Sequence, residues 1–324
     1  MLEHGGHLIT AASEFDIPLS DWLDLSTGIN PNSWPIPDIP QHCWNRLPES
    51  NDPLVATASE YLNCEMVLPI AGSQAAIQIL PRLRPACQVA VPFLAYQEHR
   101  YQWQKAGHWI SSYKTASVLN IIDQVDVLIV VNPNNPTGET LNIDTLLSWH
   151  ERLAHRGGWL IVDEAFMDAT PNLSLSQFCP LPGLIVLRSL GKFYGLAGLR
   201  CGFVLSEEKI LSDIEEYMGP WALNHPARWV ANQALQDRQW QAQSRQQLQR
   251  ASNRLKNMLQ NHIGYYLGGT ALFQTIKSPN ATRIYHSLAQ QGVLVRQINE
   301  QMLRFGLPGT ANAWQRLSQC LVNL

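Results

Sequence analysis

Lysine is scarce in this chain, with six in 324 residues, and charged residues of all kinds make up only 15%. With a formal net charge of −3 there is no basic footprint for nucleic acid or an anionic membrane, so polymer-binding functions are excluded on electrostatic grounds. No run approaches the roughly 18 uninterrupted apolar residues that a spanning helix needs. The start, Met1-Leu2-Glu3-His4-Gly5-Gly6, has neither a basic segment nor an apolar one, so secretion is not expected. The six cysteines form no C-x-x-C pair and show no metal-ligand spacing, which predicts free thiols in a reducing cytoplasm and no metal. Internal repeats and low-complexity segments are absent as well.

What the chain does have is a series of short apolar runs: Val67–Ile70, Gln88–Val91, Val127–Val131, Trp159–Val162, Leu184–Leu187 and Gly202–Leu205. They are continuous rather than alternating, the pattern of strands covered on both faces. Segments of helical spacing lie among them, at Ser73–Leu83, Ala95–Ala106 and Ile143–His155. The fold class that follows is α/β, a mostly parallel sheet sandwiched by helices. Beyond about Glu207 the pattern changes. A long helix is predicted over Gln236–Gln260. After it come strands at Ile263–Tyr266, Leu272–Ile276, around Val293–Val295 and Met302–Phe305, a Gly268-Gly269 turn and a helix at Ala281–Gln291: a smaller α+β domain. The expected division is residues 1–45 as an N-terminal arm or part of the small domain, 46–215 as the large domain, and 216–324 as the small domain with its bridging helix. Pro31, Pro35, Pro37 and Pro40 mark the first stretch as an arm and extended connection rather than packed core.

Polar residues cluster immediately after the apolar runs. Ala71-Gly72-Ser73, Asn132–Gly138, Asp163 and Ser189–Lys192 all follow one, at the carboxyl ends of parallel strands, where open α/β sheets bind ligands. Lys192 lies in a segment with four glycines (Gly191, Gly195, Gly198 and Gly202), and Arg200 stands eight residues on. Glycine lets backbone approach a bulky ligand closely, and a partly desolvated lysine can act as a Schiff-base nucleophile. The other five lysines have polar or helix-forming neighbours.

Ser189-x-x-Lys192 with Arg200, together with Ala71-Gly72-Ser73-Gln74-Ala75-Ala76, Asn132-Pro133-Asn134-Asn135-Pro136-Thr137-Gly138 and Val162-Asp163-Glu164-Ala165-Phe166, resembles the fold-type I pyridoxal-phosphate (PLP) enzymes. The group is that of the aspartate and histidinol-phosphate aminotransferases. His4-Gly5-Gly6, Asp24–Pro31, Asp163–Asp168 and Leu303–Pro308 bring the chain nearest to the threonine-phosphate decarboxylases of cobalamin biosynthesis. The resemblance implies a homodimeric PLP-dependent decarboxylase acting on a phosphorylated amino acid, with an aminotransferase of the histidinol-phosphate type as the alternative.

It also implies roles. Lys192 would bear the cofactor and move protons at the substrate's Cα, and Asp163 would face the pyridine nitrogen. Gly72, Ser73, Gln74, Ser189 and Arg200 would cup the phosphate through backbone N–H groups, hydroxyls and a guanidinium. Asn135 would donate to the phenolic oxygen. Phe93 and Tyr96 both offer a ring to stack on the pyridine, with Tyr96 favoured. Arg304 matches the carboxylate-binding arginine, and Arg296, His4 and Asn30 are candidates for the substrate's phosphate. Two departures stand out: Phe166 has no hydroxyl where the aminotransferases usually place a tyrosine, and Leu47–Leu54 lacks the tyrosine that such enzymes lend to a neighbouring subunit.

Overall fold

The computed structural model describes residues 5–263, 265–322 and 324. His4 lies outside them. Backbone proximity divides the chain into two compact units, Trp34–Asn135 with Thr140–Gln241, and Met1–Ser33 with Pro136–Glu139 and Ala242–Leu324. These limits differ from the expected 45/46 and 215/216. Residues past Ser33 join the larger unit because the Trp34 amide donates to Tyr194 O at 2.9 Å and its indole to Asp237 at 3.0 Å. The helix Glu208–Met218 also belongs there, burying Ile210, Leu211 and Ile214 in the same core as Ile70, Ile185 and Val204.

In chain order the strands are β1 (Leu23–Asp24), β2 (Val67–Ile70), β3 (Gln88–Pro92), β4 (Trp109–Tyr113), β5 (Val127–Val131), β6 (Trp159–Asp163), β7 (Leu184–Ser189) and β8 (Gly202–Leu205), then β9 (Tyr266–Thr270), β10 (Phe273–Lys277), β11 (Val293–Leu294), β12 (Arg296–Asn299) and β13 (Met302–Gly306). The larger unit is built on the sheet β2-β8-β7-β6-β5-β3-β4. Its strands run parallel except β8, which is antiparallel to both β7 and β2. All six predicted runs are strands. The edge strand β4, Trp-Ile-Ser-Ser-Tyr, has no buried apolar run to betray it, and only Tyr113 of its five residues is buried. The predicted helix over Ser73–Leu83 is α-helical only to Ile79 and continues as a 3-10 turn, because Pro81 cannot donate into an α-helical ladder.

In the smaller unit the antiparallel sheet β12-β13-β10-β9 and the parallel pair β1-β11 are flanked by the helices Ala281–Ala289 and Ala311–Val322. The expected Gly268-Gly269 turn is not a turn. Both glycines lie within β9, and a Cβ on Gly268 would stand 2.1 Å from the Thr137 carbonyl, so close approach and not chain reversal calls for glycine. Nor is the segment Leu8–Trp22 an unpacked arm. Ala11 of the helix Leu8–Glu14 and Trp22, the residue before β1, are buried against Ala289 and Leu294. The helix Arg238–His262 carries the chain from one unit to the other over 25 residues. Among the described residues no helix is long and apolar enough to cross a membrane.

Candidate active site

Four strand ends converge in the larger unit. A cavity of about 140 Å³ beyond them is lined by residues that include Ser73, Gln74, Tyr96, Asn135, Asp163, Ser189, Lys192 and Arg200. The cofactor-site residues expected from the sequence are therefore on this wall, apart from Gly72, which caps the helix that Ser73 begins.

Asp163 ends β6 and is 3% exposed. A carboxylate so buried is costly without partners, and both of its oxygens have one: Oδ1 accepts from the Ala165 amide at 3.1 Å, and Oδ2 lies 2.9 Å from His99 Nε2. His99 is the residue that sequence reasoning missed. It sits three positions after Tyr96, one turn into the helix Gln97–Lys105, a spacing that stacks the two side chains on one face. Their rings meet edge to face, with centroids 6.3 Å apart. Of the two aromatic candidates, Phe93 is 66% exposed and Tyr96 lines the cavity.

At the opposite end, hydroxyls and a guanidinium gather. Ser189 closes β7 and its Oγ accepts from the Gly191 amide at 3.3 Å. Arg200 adopts a left-handed backbone, φ +54°, which turns the chain back into β8. Gly72, with φ +77°, lies so near Arg200 that a Cβ would stand 2.7 Å from Nη2. Any larger residue would push the guanidinium away. The Gln74 side chain is already engaged, donating to Glu98 at 2.8 Å and accepting from the Tyr96 hydroxyl at 3.2 Å. What Gln74 offers an anion is thus its backbone N–H, in the first turn of a helix where no intrahelical acceptor exists.

Asn135 is carried by a loop pinned at both ends. The Asn132 side chain exchanges hydrogen bonds with the Leu141 backbone, and Asn134 Nδ2 donates to Leu94 O at 2.9 Å. Lys192 Nζ lies 5.7 Å from the centroid of the Phe166 ring, so the position without a hydroxyl contributes an apolar face to the amine's surroundings.

Behind the wall, Arg188 is 3% exposed and ion-pairs with Glu164 at 3.3 Å and with Asp168. Tyr61 donates to Asp168 at 2.9 Å, and Ser174 and the Leu175 amide donate to Glu164. Burial pushes the Glu164 carboxyl up; burial works to lower Arg188, but the Asp168 and Glu164 carboxylates outweigh it and raise Arg188 above its ordinary value. This triad props β6 against β7, the strands that present Asp163 and Lys192. In the segment that lacks the expected tyrosine, Asp52 makes a bidentate pair with Arg228, at 2.5 and 2.7 Å, and accepts from the Leu54 amide at the head of the helix Leu54–Leu62.

The smaller unit holds three of the expected substrate residues, Arg304, Arg296 and Asn30. Arg304 on β13 and Arg296 on β12 are register partners, so a hairpin sets opposite one another two arginines eight apart in sequence. Arg304 is 4% exposed, donates to Ser26 O at 2.7 Å and lies over the Phe273 ring. Burial and the nearby Arg296 push its pKa down to about 9. An anion would relieve that pressure. Ser26 also accepts from the Gly6 amide, tying the start of the chain to this corner. Asn30 is buried and spends its amide on Ser244, at 3.1 Å, and its carbonyl on the Asn32 amide.

An amine, a buried carboxylate backed by imidazole, an amide donor and an anion-binding cup, all at strand ends of an α/β sheet, define a fold-type I PLP-dependent enzyme. The fit is chemical: the cup suits a phosphate, Asp163 a protonated ring nitrogen, and Tyr96 a planar face. The chain belongs to the aminotransferase class I and II family, whose model matches residues 51–320. It is 52% identical over 323 residues to the threonine-phosphate decarboxylase of Pseudomonas aeruginosa, covering 99% of this chain and 98% of that one. It is 37% identical over 329 residues to that of a Sinorhizobium species, with the same coverage. Among solved structures, the histidinol-phosphate aminotransferase from Sinorhizobium meliloti in complex with pyridoxal-5'-phosphate superposes with a TM-score of 0.81 at 17% identity, over 99% of this chain and 95% of that one. The cofactor is PLP.

Proposed function

We propose that the protein decarboxylates L-threonine O-3-phosphate to (R)-1-aminopropan-2-yl phosphate, in the cytoplasm, for the nucleotide-loop arm of cobalamin. The observation that carries this reading is the 52% identity to a threonine-phosphate decarboxylase along 99% of the chain. PLP when bound supplies an electron sink for the charge left at Cα once the carboxylate departs. Lys192 would hold the cofactor, and its amine is the group placed to return a proton to Cα. Asp163, oriented by His99, keeps a positive charge on the ring nitrogen. Arg200, Ser189, Ser73 and the backbone N–H groups of the Gly72–Gln74 turn bind the cofactor's phosphate; Asn135 donates to its phenolic oxygen and Tyr96 covers its face. Arg304 takes the substrate's carboxylate and Arg296 its phosphate. Asn30 and Ser26 hold the segment beside them in shape, and His4 belongs to the same end of the chain. A homodimer is the assembly proposed, as in other fold-type I enzymes.

The test is to incubate the PLP-loaded protein with threonine phosphate and histidinol phosphate while following CO2 and keto product. CO2 from threonine phosphate with PLP unconverted is expected. Keto product without CO2 would move the protein to the aminotransferase reading. Borohydride reduction and peptide mapping should label Lys192, and a label on another lysine would overturn its assignment.

A further inference from the structure

Away from the cofactor cavity but within the larger unit, His42, Cys43 and His225 come together. One ring nitrogen of each histidine and the Cys43 Sγ lie within 4.8 Å of one another. The imidazoles meet edge to face, centroids 5.6 Å apart at 63°. Cys43 is 2% exposed, His225 is half-buried and His42 is exposed. We infer that these three side chains form a zinc site that ties the segment around His42–Asn45 to the helix His225–Gln236.

The chemistry of the donor set supports Zn²⁺. One thiolate and two imidazoles suit this borderline-soft ion, and three protein ligands leave a fourth tetrahedral position for water. That position has room: Cys43 and His225 line a cavity of about 530 Å³ together with Trp44, Leu199 and Trp221. Metal–ligand bonds of about 2.0–2.1 Å to nitrogen and 2.3 Å to sulfur place tetrahedral ligands roughly 3.3–3.6 Å apart, so a contraction of up to about 1.5 Å closes the shell. The exposed His42 ring can swing to supply it.

Two features hold the other ligands ready. His225 Nδ1 lies 3.2 Å from Arg46 O; a backbone carbonyl at one ring nitrogen fixes the tautomer that leaves the other, Nε2, with a lone pair for metal. His225 also opens its helix directly after Asn224, whose side chain caps the Ala227 amide, while the Cys43 amide donates to Pro40 O at 2.9 Å. The free side chain is a thiol. Forming the S–Zn bond breaks S–H and releases that proton to solvent, with no change of oxidation state.

The experiment uses PLP-loaded protein, stripped with a chelator and titrated with Co²⁺, then with Zn²⁺ in competition with a chromophoric chelator. Expected are one equivalent per chain, a thiolate-to-cobalt charge-transfer band and tetrahedral ligand-field bands, all displaced by Zn²⁺. Cys43→Ser should abolish the charge-transfer band. His42→Gln, at an exposed ring, should weaken Zn²⁺ by at least tenfold to a hundredfold, the range seen even when only an orienting partner is lost. Cys87→Ser should change neither. No thiolate band, a band that survives Cys43→Ser, or unchanged Zn²⁺ affinity in His42→Gln would each overturn the site.

Discussion

Asp163 and His99 act as a pair, and their contributions are separable. Asp163→Asn should leave PLP bound and cut kcat by at least about 100-fold, roughly 2.7 kcal/mol of barrier, because a neutral amide no longer holds charge on the ring. His99→Gln keeps the carboxylate and removes one charge-assisted contact. A loss of about tenfold to a hundredfold, about 1.4–2.7 kcal/mol, is expected from steady-state rates. Equal losses in the two variants would show that His99 does more than orient. The arginines of the smaller unit should also fail differently. Arg296→Ala should weaken threonine phosphate by about 1.5–3 kcal/mol in kcat/KM while sparing unphosphorylated threonine, and Arg304→Ala should damage both substrates, since both bear a carboxylate. Arg296 leaves the phosphate site if its variant treats both substrates alike.

Among the secondary-structure elements, the central strands β6 and β7 are held by more than their ladder. Arg188, Glu164 and Asp168 form a buried charge cluster whose carboxylates also accept from Tyr61, Ser174 and the Leu175 amide. Removing the cation leaves two carboxylates in a space closed to water, so Arg188→Met should cost about 3–5 kcal/mol, read from the shift in urea midpoint. Replacing all three with apolar residues of similar volume should cost much less, which separates the penalty of an orphaned charge from the worth of the cluster. The helix starting at Leu54 shows a related economy. Asp52 both accepts from the Leu54 amide at its start and clamps Arg228, so the segment without the family's tyrosine has a structural task of its own.

For the whole molecule, the proposed homodimer predicts a sedimentation coefficient of two chains at assay concentration, and a fully active monomer would reject it. Much of the plan was legible in one dimension. Buried strands announce themselves as continuous apolar runs, and the polar residues that follow them must lie at carboxyl ends, so Lys192, Asp163, Asn135 and the Gly72–Gln74 turn could be assigned to one crevice before any coordinates. Those inferences depend on local sequence and on a rule of sheet topology. The features that escaped depend on neither. His99 looks like any polar residue on a helix until the helix is docked beneath Asp163. Gly268 and Gly269 read as a turn because the signal for a reversal and the signal for close packing are the same missing Cβ. Arg296 and Arg304 become partners only through a hairpin register. His42 and Cys43 meet His225 across about 180 residues of chain, a separation at which no spacing rule operates. Sequence determined which segments are buried and where chemistry gathers along them. Which side chains share a charge, a proton or a ligand was decided by tertiary packing, because those energies depend on distances of a few ångströms that chain order does not encode.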